Sequence, residues 1–196
     1  MTSVQRKIPT HLTLDEFIAW PGDGTGGRYQ LVDGEVRAMS PASTTHGTIQ
    51  GELAGIIRDQ LRGTGTKCRM VIEPAVEIRL RADVNRRVPD IGVSCAPDLP
   101  GQIVLPNPII LIEIMSPGNT KDTWDNVWAY TTIPTVHEIL VVQSTRIEAE
   151  LFRRQSDGSW PTAAEKIAAD GQLRLASIDL ITPLRDLYAG TYLAAV

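Results

Sequence analysis

The 196-residue chain reads as an α/β fold: a central mixed β-sheet flanked by helices, with added N-terminal and C-terminal β-hairpins. Three observations predict it. The runs VPDIGVSC and NPIILIEIMSP are short, β-branched and almost continuously apolar, as central strands covered on both faces are. The second run is followed by a helical pattern, DTWDNVWAYTTIP, and then by another apolar strand, VHEILVV, the order that implies a right-handed crossover between parallel strands. A long amphipathic segment, THGTIQGELAGIIRDQLR, places Ile49, Leu53, Ile56, Ile57 and Leu61 on one helical face, ready to cover that sheet.

Taken in order, Thr13-Leu14-Asp15-Glu16 has capping-box spacing and leads into Phe17, Ile18 and Trp20, with Pro21-Gly22 as the stop. Gly22 to Gly27 forms a loop, and RYQLVDGEVRAMSP reads as a hairpin turning at Asp33-Gly34. The long helix follows and closes at Gly63. CRMVIEPAVEIRLRA reads as a strand whose second half alternates, with Val76, Ile78 and Leu80 on a dry face and Glu77, Arg79 and Arg81 on a wet one. Beyond the two central strands, the crossover helix ends near Pro134. IEAELFRR turns at Ser156-Asp157-Gly158 and pairs with a strand expected to begin near Trp160. Thr182-Pro183 opens a last helical turn through Leu187 and Tyr188. No repeat, low-complexity tract or linker interrupts this order, so residues 1–196 are expected to form a single domain with its core at about 28–190.

Composition narrows the function classes. No apolar run reaches the roughly 20 residues that span a bilayer, and the start, MTSVQRKIPTHLTLDEF, lacks the apolar stretch of a secretory signal; a cytoplasmic protein that does not enter membranes is expected. Cys68 and Cys95 stand apart from each other and from any CxxC or Cys/His cluster, which argues against a zinc site or redox pair and leaves two buried thiols as the expectation. The net charge of −4 is not that of a protein coating nucleic acid non-specifically, so any DNA affinity must be local. Arg79, Arg81, Arg86 and Arg87 cluster before a Pro-Asp dipeptide, and Arg153 and Arg154 lie later. Solvated strand faces are the plain reading of such runs, and a local DNA-binding patch is the functional one.

The unusual feature is acid within apolar strands. Glu113 ends the run Ile109-Ile110-Leu111-Ile112, and Asp90 opens the neighbouring strand directly after Pro89. Carboxylates in such positions are expensive unless paired or coordinating a cation. Either acid alone is explained by a wet strand end; together, on consecutive core strands, they suit Mg²⁺ (or Mn²⁺), which takes one or two carboxylates and fills its remaining positions with water and substrate phosphate. The backbone carbonyl of Ile114 would add a further oxygen. Glu73 and Glu77 share the parity of Arg79 and Arg81 and are expected to face water, while His11 and His137 lack partners at metal-ligand spacing. Trp124, Trp128 and Tyr130 are expected to pack the crossover helix on the sheet.

Several of these segments resemble the bacterial Uma2 family, a family of restriction-endonuclease type within the PD-(D/E)XK nuclease superfamily. The matching stretches are YQLVDGEVRAMSP, His46 opening the long helix, VPDIGV, IEIMSPGNT, WAYTTIP with VHEILVV, the DGSW turn and LRDLYAG. They cover nearly the whole chain. The resemblance implies a restriction-endonuclease-like core, Asp90 and Glu113 as metal ligands, and Glu35 and His46 near the metal, its waters or the scissile phosphate. It also exposes a departure. The superfamily's lysine, two residues after the second acid, is Met115 here, and the position to which this family moves it aligns with Asn126. An amide cannot replace a cation that stabilises attacking hydroxide or phosphate charge; Lys121, at the start of that helix, is the nearby cation that could substitute.

Two functions from different classes therefore stand. One is a metal-dependent endonuclease hydrolysing DNA phosphodiesters, weakened by loss of the motif lysine. The other is a catalytically inactive nuclease-fold protein acting as a homodimeric nucleic-acid or protein binding module. A purely structural role for the acids is the third and plainest possibility.

Overall fold

The computed structural model describes residues 7–195. Helix α1 (Leu14–Ala19) begins with the expected capping box, in which Thr13 and Glu16 satisfy each other's backbone donors. Strands β1 (Tyr29–Val32) and β2 (Glu35–Ala38) form the N-terminal hairpin. Its turn residues Asp33 and Gly34 have φ of 51° and 86°, the left-handed pair of a tight hairpin turn. The ring of His11 lies directly against Gly34, where any side chain would collide with it.

Helix α2 (Thr44–Gly63) follows, N-capped by Ser43. The chain then passes through β3 (Arg69–Ile72), β4 (Val76–Glu77), β5 (Arg86–Arg87), β6 (Ile91–Ser94) and β7 (Pro108–Met115), then α3 (Thr120–Tyr130) and β8 (Glu138–Gln143). The rest comprises β9 (Ala149–Arg153), β10 (Glu165–Ile167), β11 (Gln172–Leu175), β12 (Leu180–Pro183) and a 3-10 turn at Leu184–Tyr188.

The central sheet is mixed and six-stranded, in the order β10-β9-β8-β7-β6-β3. β7 and β8 are parallel, joined through α3 as expected, and every other pair is antiparallel. A smaller antiparallel sheet, β2-β1-β5-β4, stands beside it, and β11 and β12 make a third hairpin.

β7 shows how the sequence sorts its faces. Ile110, Ile112 and Ile114 enter a core with α2, the β11–β12 hairpin and the 3-10 turn, whereas Leu111 and Met115 enter a second core with Val127 and Tyr130 of α3. Apolar residues are needed on both faces, which explains the unbroken hydrophobic run. In β6, the residue facing Leu111 is Gly92, because the side chains of Leu105 and Pro74 leave no room for a Cβ there.

Four sequence expectations are corrected. The segment 68–82 is not one strand: Glu73, at φ 49°, and Pro74 break it, so β3 joins the central sheet and β4 the small one. Its pairing ends at Glu77, and Leu80 loses the parity that would have buried it, standing 59% exposed. Cys68 and Cys95 are not buried thiols but a disulfide, one step beyond the cross-strand pair Arg69 and Ser94. At the C-terminal end, the partner of β9 begins at Glu165 rather than near Trp160, whereas the expected last helical turn forms as the 3-10 turn Leu184–Tyr188, capped by the same Pro183 that closes β12. Trp160 instead donates to the Thr131 carbonyl and lies under the Arg154 guanidinium. Among the described residues, no helix is long and apolar enough to cross a membrane.

Candidate active site

The chain steps directly from strand to strand between the two sheets at Glu73–Pro74 and at Val88–Pro89, and both steps deliver side chains to one cavity of about 240 Å³. Its wall includes Asp90, Glu113, His46, Glu73, Arg28, Gln30, Ser116, Thr123 and Asn126, closed over by the 38–43 segment that follows β2.

Asp90 and Glu113 come together as cross-strand neighbours. Ile91 pairs with Ile112 in the antiparallel β6–β7 ladder, so the next step outward sets Asp90 across from Glu113 on the same face, the face of Leu111 and Met115. Asp90 continues the ladder with its side chain: Oδ2 accepts from the Ile114 N–H at 2.6 Å, Oδ1 lies 3.0 Å from His46 Nε2, and its carbonyl accepts from Gln50 Nε2 and Glu73 N–H. In a strand, one residue's N–H and C=O point to the same side. The Ile114 carbonyl is therefore directed to the side where β6 has ended.

Glu113 is 5% exposed. Its Oε1 accepts from the Tyr130 hydroxyl at 2.6 Å and from Asn126 Nδ2 at 3.1 Å, and its Oε2 takes no hydrogen bond from any described residue. Burial, and next the adjacent Asp90 charge, push its carboxyl well above the usual glutamate range, against the pull of Tyr130, Asn126 and the Arg87 guanidinium. Burial and Glu113 likewise push the Tyr130 phenol well above its ordinary value, which keeps it a proton donor.

His46 sits in the first turn of α2, where its N–H is capped by Ser43. Its Nδ1 lies 3.5 Å from Ser116 Oγ, which contacts Ser144 Oγ at 3.0 Å, so the ring is fixed on both sides. Glu73 enters the cavity wall paired with Arg28, contrary to the parity expectation, because the kink at Glu73 turns it away from the strand's alternation. Glu35 and Lys121 are exposed and do not line the cavity; Glu35 pairs with Arg37, which also reaches Asp122.

The four arginines of the linear cluster do not converge. Arg86 and Arg87, adjacent in a strand, point oppositely: Arg86 donates to the Ile103 carbonyl, whereas Arg87 is buried and donates to Asn126 Oδ1 and Asn85 Oδ1, each at 3.1 Å. Arg81 pairs with Asp33, and Arg79 lines a separate groove. Sequence reasoning named Arg87, Tyr130 and Glu73 in other roles, as a cation of the basic cluster, a packing aromatic and a water-facing acid, and did not name Ser116. Arg87 lies three residues before Asp90 in a strand too short to show its parity.

Polar atoms left without partners gather at the same place. Among the described residues, the buried side-chain atoms lacking any hydrogen bond are Gln30 Oε1, Thr123 Oγ1 and Arg87 Nε. The first two residues line the cavity and the third is bonded to its wall. Native proteins satisfy nearly all such atoms, so a polar occupant or water beside them would lower their cost. No group of three His, Cys, Asp or Glu stands close enough to hold a metal unaided among the described residues. The two carboxylates are a hard-oxygen pair suited to a Mg²⁺-like ion that completes its shell with water and phosphate.

Comparison with known proteins bears on the fold and the family. A crystal structure titled as a "putative nuclease belonging to DUF820" from Anabaena variabilis ATCC 29413 superposes with a TM-score of 0.72 at 21% identity, over 91% of this chain and 98% of that one, which shows a shared fold. The "Uncharacterized protein slr1290" of Synechocystis sp. (strain ATCC 27184 / PCC 6803 / Kazusa) is 25% identical over 181 residues, 91% of this chain and 92% of the relative. The profile of the Uma2 family, described as "Putative restriction endonuclease", matches residues 14–177. The chain therefore belongs to the Uma2 family.

Proposed function

We propose that this protein is a divalent-metal-dependent endonuclease that hydrolyses DNA phosphodiester bonds, with Asp90 and Glu113 as the metal ligands. One observation carries the reading: two carboxylates stand side by side in a cavity, one of them buried and held well above its ordinary pKa by burial and by the other's charge. Such a pair is costly by itself and becomes favourable around a divalent cation. Mg²⁺ or Mn²⁺ fits the donor set, with Glu113 Oε2, an Asp90 oxygen and the Ile114 carbonyl as ligands. Bound there, the ion supplies Lewis acidity that activates water and neutralises phosphate charge.

The chain's own residues do the rest. His46 and the Ile114 N–H hold the Asp90 carboxylate in one orientation, as partners around metal ligands commonly do. Tyr130 and Asn126 hold Glu113 by one oxygen and leave the other for the ion. Arg28, on the cavity rim, offers a cation for a substrate phosphate once released from Glu73. Glu35 and Lys121 have no direct contact in this scheme. DNA as the substrate is supported by the restriction-endonuclease character ascribed to the Uma2 family and by the nuclease name of the Anabaena protein that shares the fold.

Cleavage of supercoiled plasmid with Mn²⁺ tests the reading. The parent is expected to nick it, and Asp90→Ala and Glu113→Ala to lose that activity; equal activity in all three refutes the proposal. A second reading, an inactive nuclease-fold binding module, is favoured by the amide at Asn126. It predicts Mn²⁺ binding and DNA retention by the parent without cleavage. Homodimerisation belongs to either reading and is tested by light scattering.

A further inference from the structure

The position aligned with the missing lysine holds an amide, and that amide is tied to a buried cation. Asn126 Oδ1 accepts from Arg87 Nη1 at 3.1 Å while its Nδ2 donates to Glu113 Oε1 at 3.1 Å. The two ends of an asparagine amide are told apart only by their partners. A guanidinium offers donors and no acceptor, whereas a carboxylate accepts. Arg87 therefore admits only the oxygen on its side and sends the nitrogen to Glu113.

Arg87 is itself held from behind. Its Nη2 donates to Asn85 Oδ1, and Asn85 is fixed by the Asp33 side chain and N–H and by the carbonyls of Leu80 and Arg81. Yet Arg87 is 5% exposed, makes no ion pair with any described residue, and leaves Nε without a partner among them. A buried cation with no counter-ion of its own is expensive. Two carboxyl groups lie one residue away along its hydrogen bonds, the half-exposed Asp33 through Asn85 and Glu113 through Asn126, and of the two only Glu113 is buried with it.

We propose that Arg87 is a positioning residue that replaces, at one remove, the cation absent from position 126: it locks Asn126 as a donor to Glu113 and contributes the positive charge that a lysine there would bring. The charge half rests on the nuclease reading above. The amide half does not, and the test separates them.

Side-chain amide NMR of the full chain, without metal, reads the first half. The Asn126 signal, identified by its loss in Asn126→Asp, is expected to be protected from solvent exchange in the parent. In Arg87→Leu its exchange rises, while Gln60, whose amide donates to the Ile178 and Asp179 carbonyls, stays unchanged and reports an intact fold. Arg87→Lys retains the protection. Should the leucine variant not fold, Arg87→Gln decides, because its amide presents oxygen as readily as nitrogen and no longer forces Asn126. Unaltered Asn126 exchange in the folded leucine or glutamine variant overturns the proposal.

Mn²⁺-dependent plasmid cleavage reads the second half. Arg87→Leu is expected to lose about tenfold or more, as disruption behind metal ligands typically does, and Arg87→Leu with Asn126→Lys to recover most of it. Failure of the double variant to exceed the single one overturns the charge role. A parent that never cleaves, but whose Asn126 protection depends on Arg87, refutes the nuclease reading and supports the positioning role.

Discussion

The two ends of the central sheet each carry a buried glutamate, in opposite circumstances. At the end where β7 begins, Glu138 accepts from Arg153 Nε at 3.1 Å and from the backbone N–H groups of Ala176 and Ser177 at 3.0 and 2.9 Å. The Cys68–Cys95 bridge and the bond from Ser94 Oγ to the Pro106 carbonyl fasten the same end. At the other end, Glu113 has two uncharged donors on one oxygen, none from the described residues on the other, and a second carboxylate across the ladder. A buried acid saturated by donors holds chain segments together; one left short of donors beside another acid is arranged for a cation. The first end is built for stability, and the second carries a cost that the proposed cation would relieve.

The largest effect should therefore come from breaking the fastened end. Glu138→Ala leaves Arg153 and two N–H groups without their acceptor and should cost about 3–4 kcal/mol in urea unfolding, with Mn²⁺ affinity unchanged. Next, Cys68→Ser with Cys95→Ser opens a loop of 27 residues, worth about 3.5 kcal/mol on chain entropy. It too should leave Mn²⁺ affinity alone, since the bridge lies at the end away from the cavity. Loss of metal binding in either variant would erase the distinction between the ends.

Glu113→Gln sharpens the contrast from the other side. The carboxyl's folded pKa lies above its unfolded value, so the metal-free native state binds more protons than the unfolded chain once pH exceeds the ordinary glutamate range. Stability should then fall as pH rises toward the folded pKa. The amide removes that slope, so metal-free Glu113→Gln should unfold no more easily than the parent at neutral pH and show a flatter pH profile. A parent whose stability rises steadily through that window would contradict the assignment. The smallest effect is expected from Lys121→Ala: the side chain is exposed outside the cavity, and Mn²⁺ affinity should be unchanged by calorimetry.

Much of this was legible in the chain. The apolar runs with Asp90 and Glu113 set into them announced both the buried strands and the acidic pair, because burial on two faces leaves no room for a polar side chain without a reason. Capping at Thr13 and the turn at Asp33-Gly34 were equally plain, since local geometry alone decides them. Glu73 was not legible: its route into the cavity depends on a backbone kink that reverses the strand's parity. Arg87 hid in a two-residue strand whose facing is decided by pairing with β1 and β4, a tertiary fact. The disulfide was missed for a similar reason, as the register of β3 on β6 is invisible to spacing between Cys68 and Cys95. Asn126 read as a loss, because a lone amide does not show the guanidinium behind it.

The central claim is that the two acids share one divalent ion, and calorimetric titration with Mn²⁺ of the parent, Asp90→Asn and Glu113→Gln tests it most directly. The account predicts a single site in the parent and its loss in each variant, with all three folded. Binding in both variants equal to the parent's, or none in the parent, would contradict it.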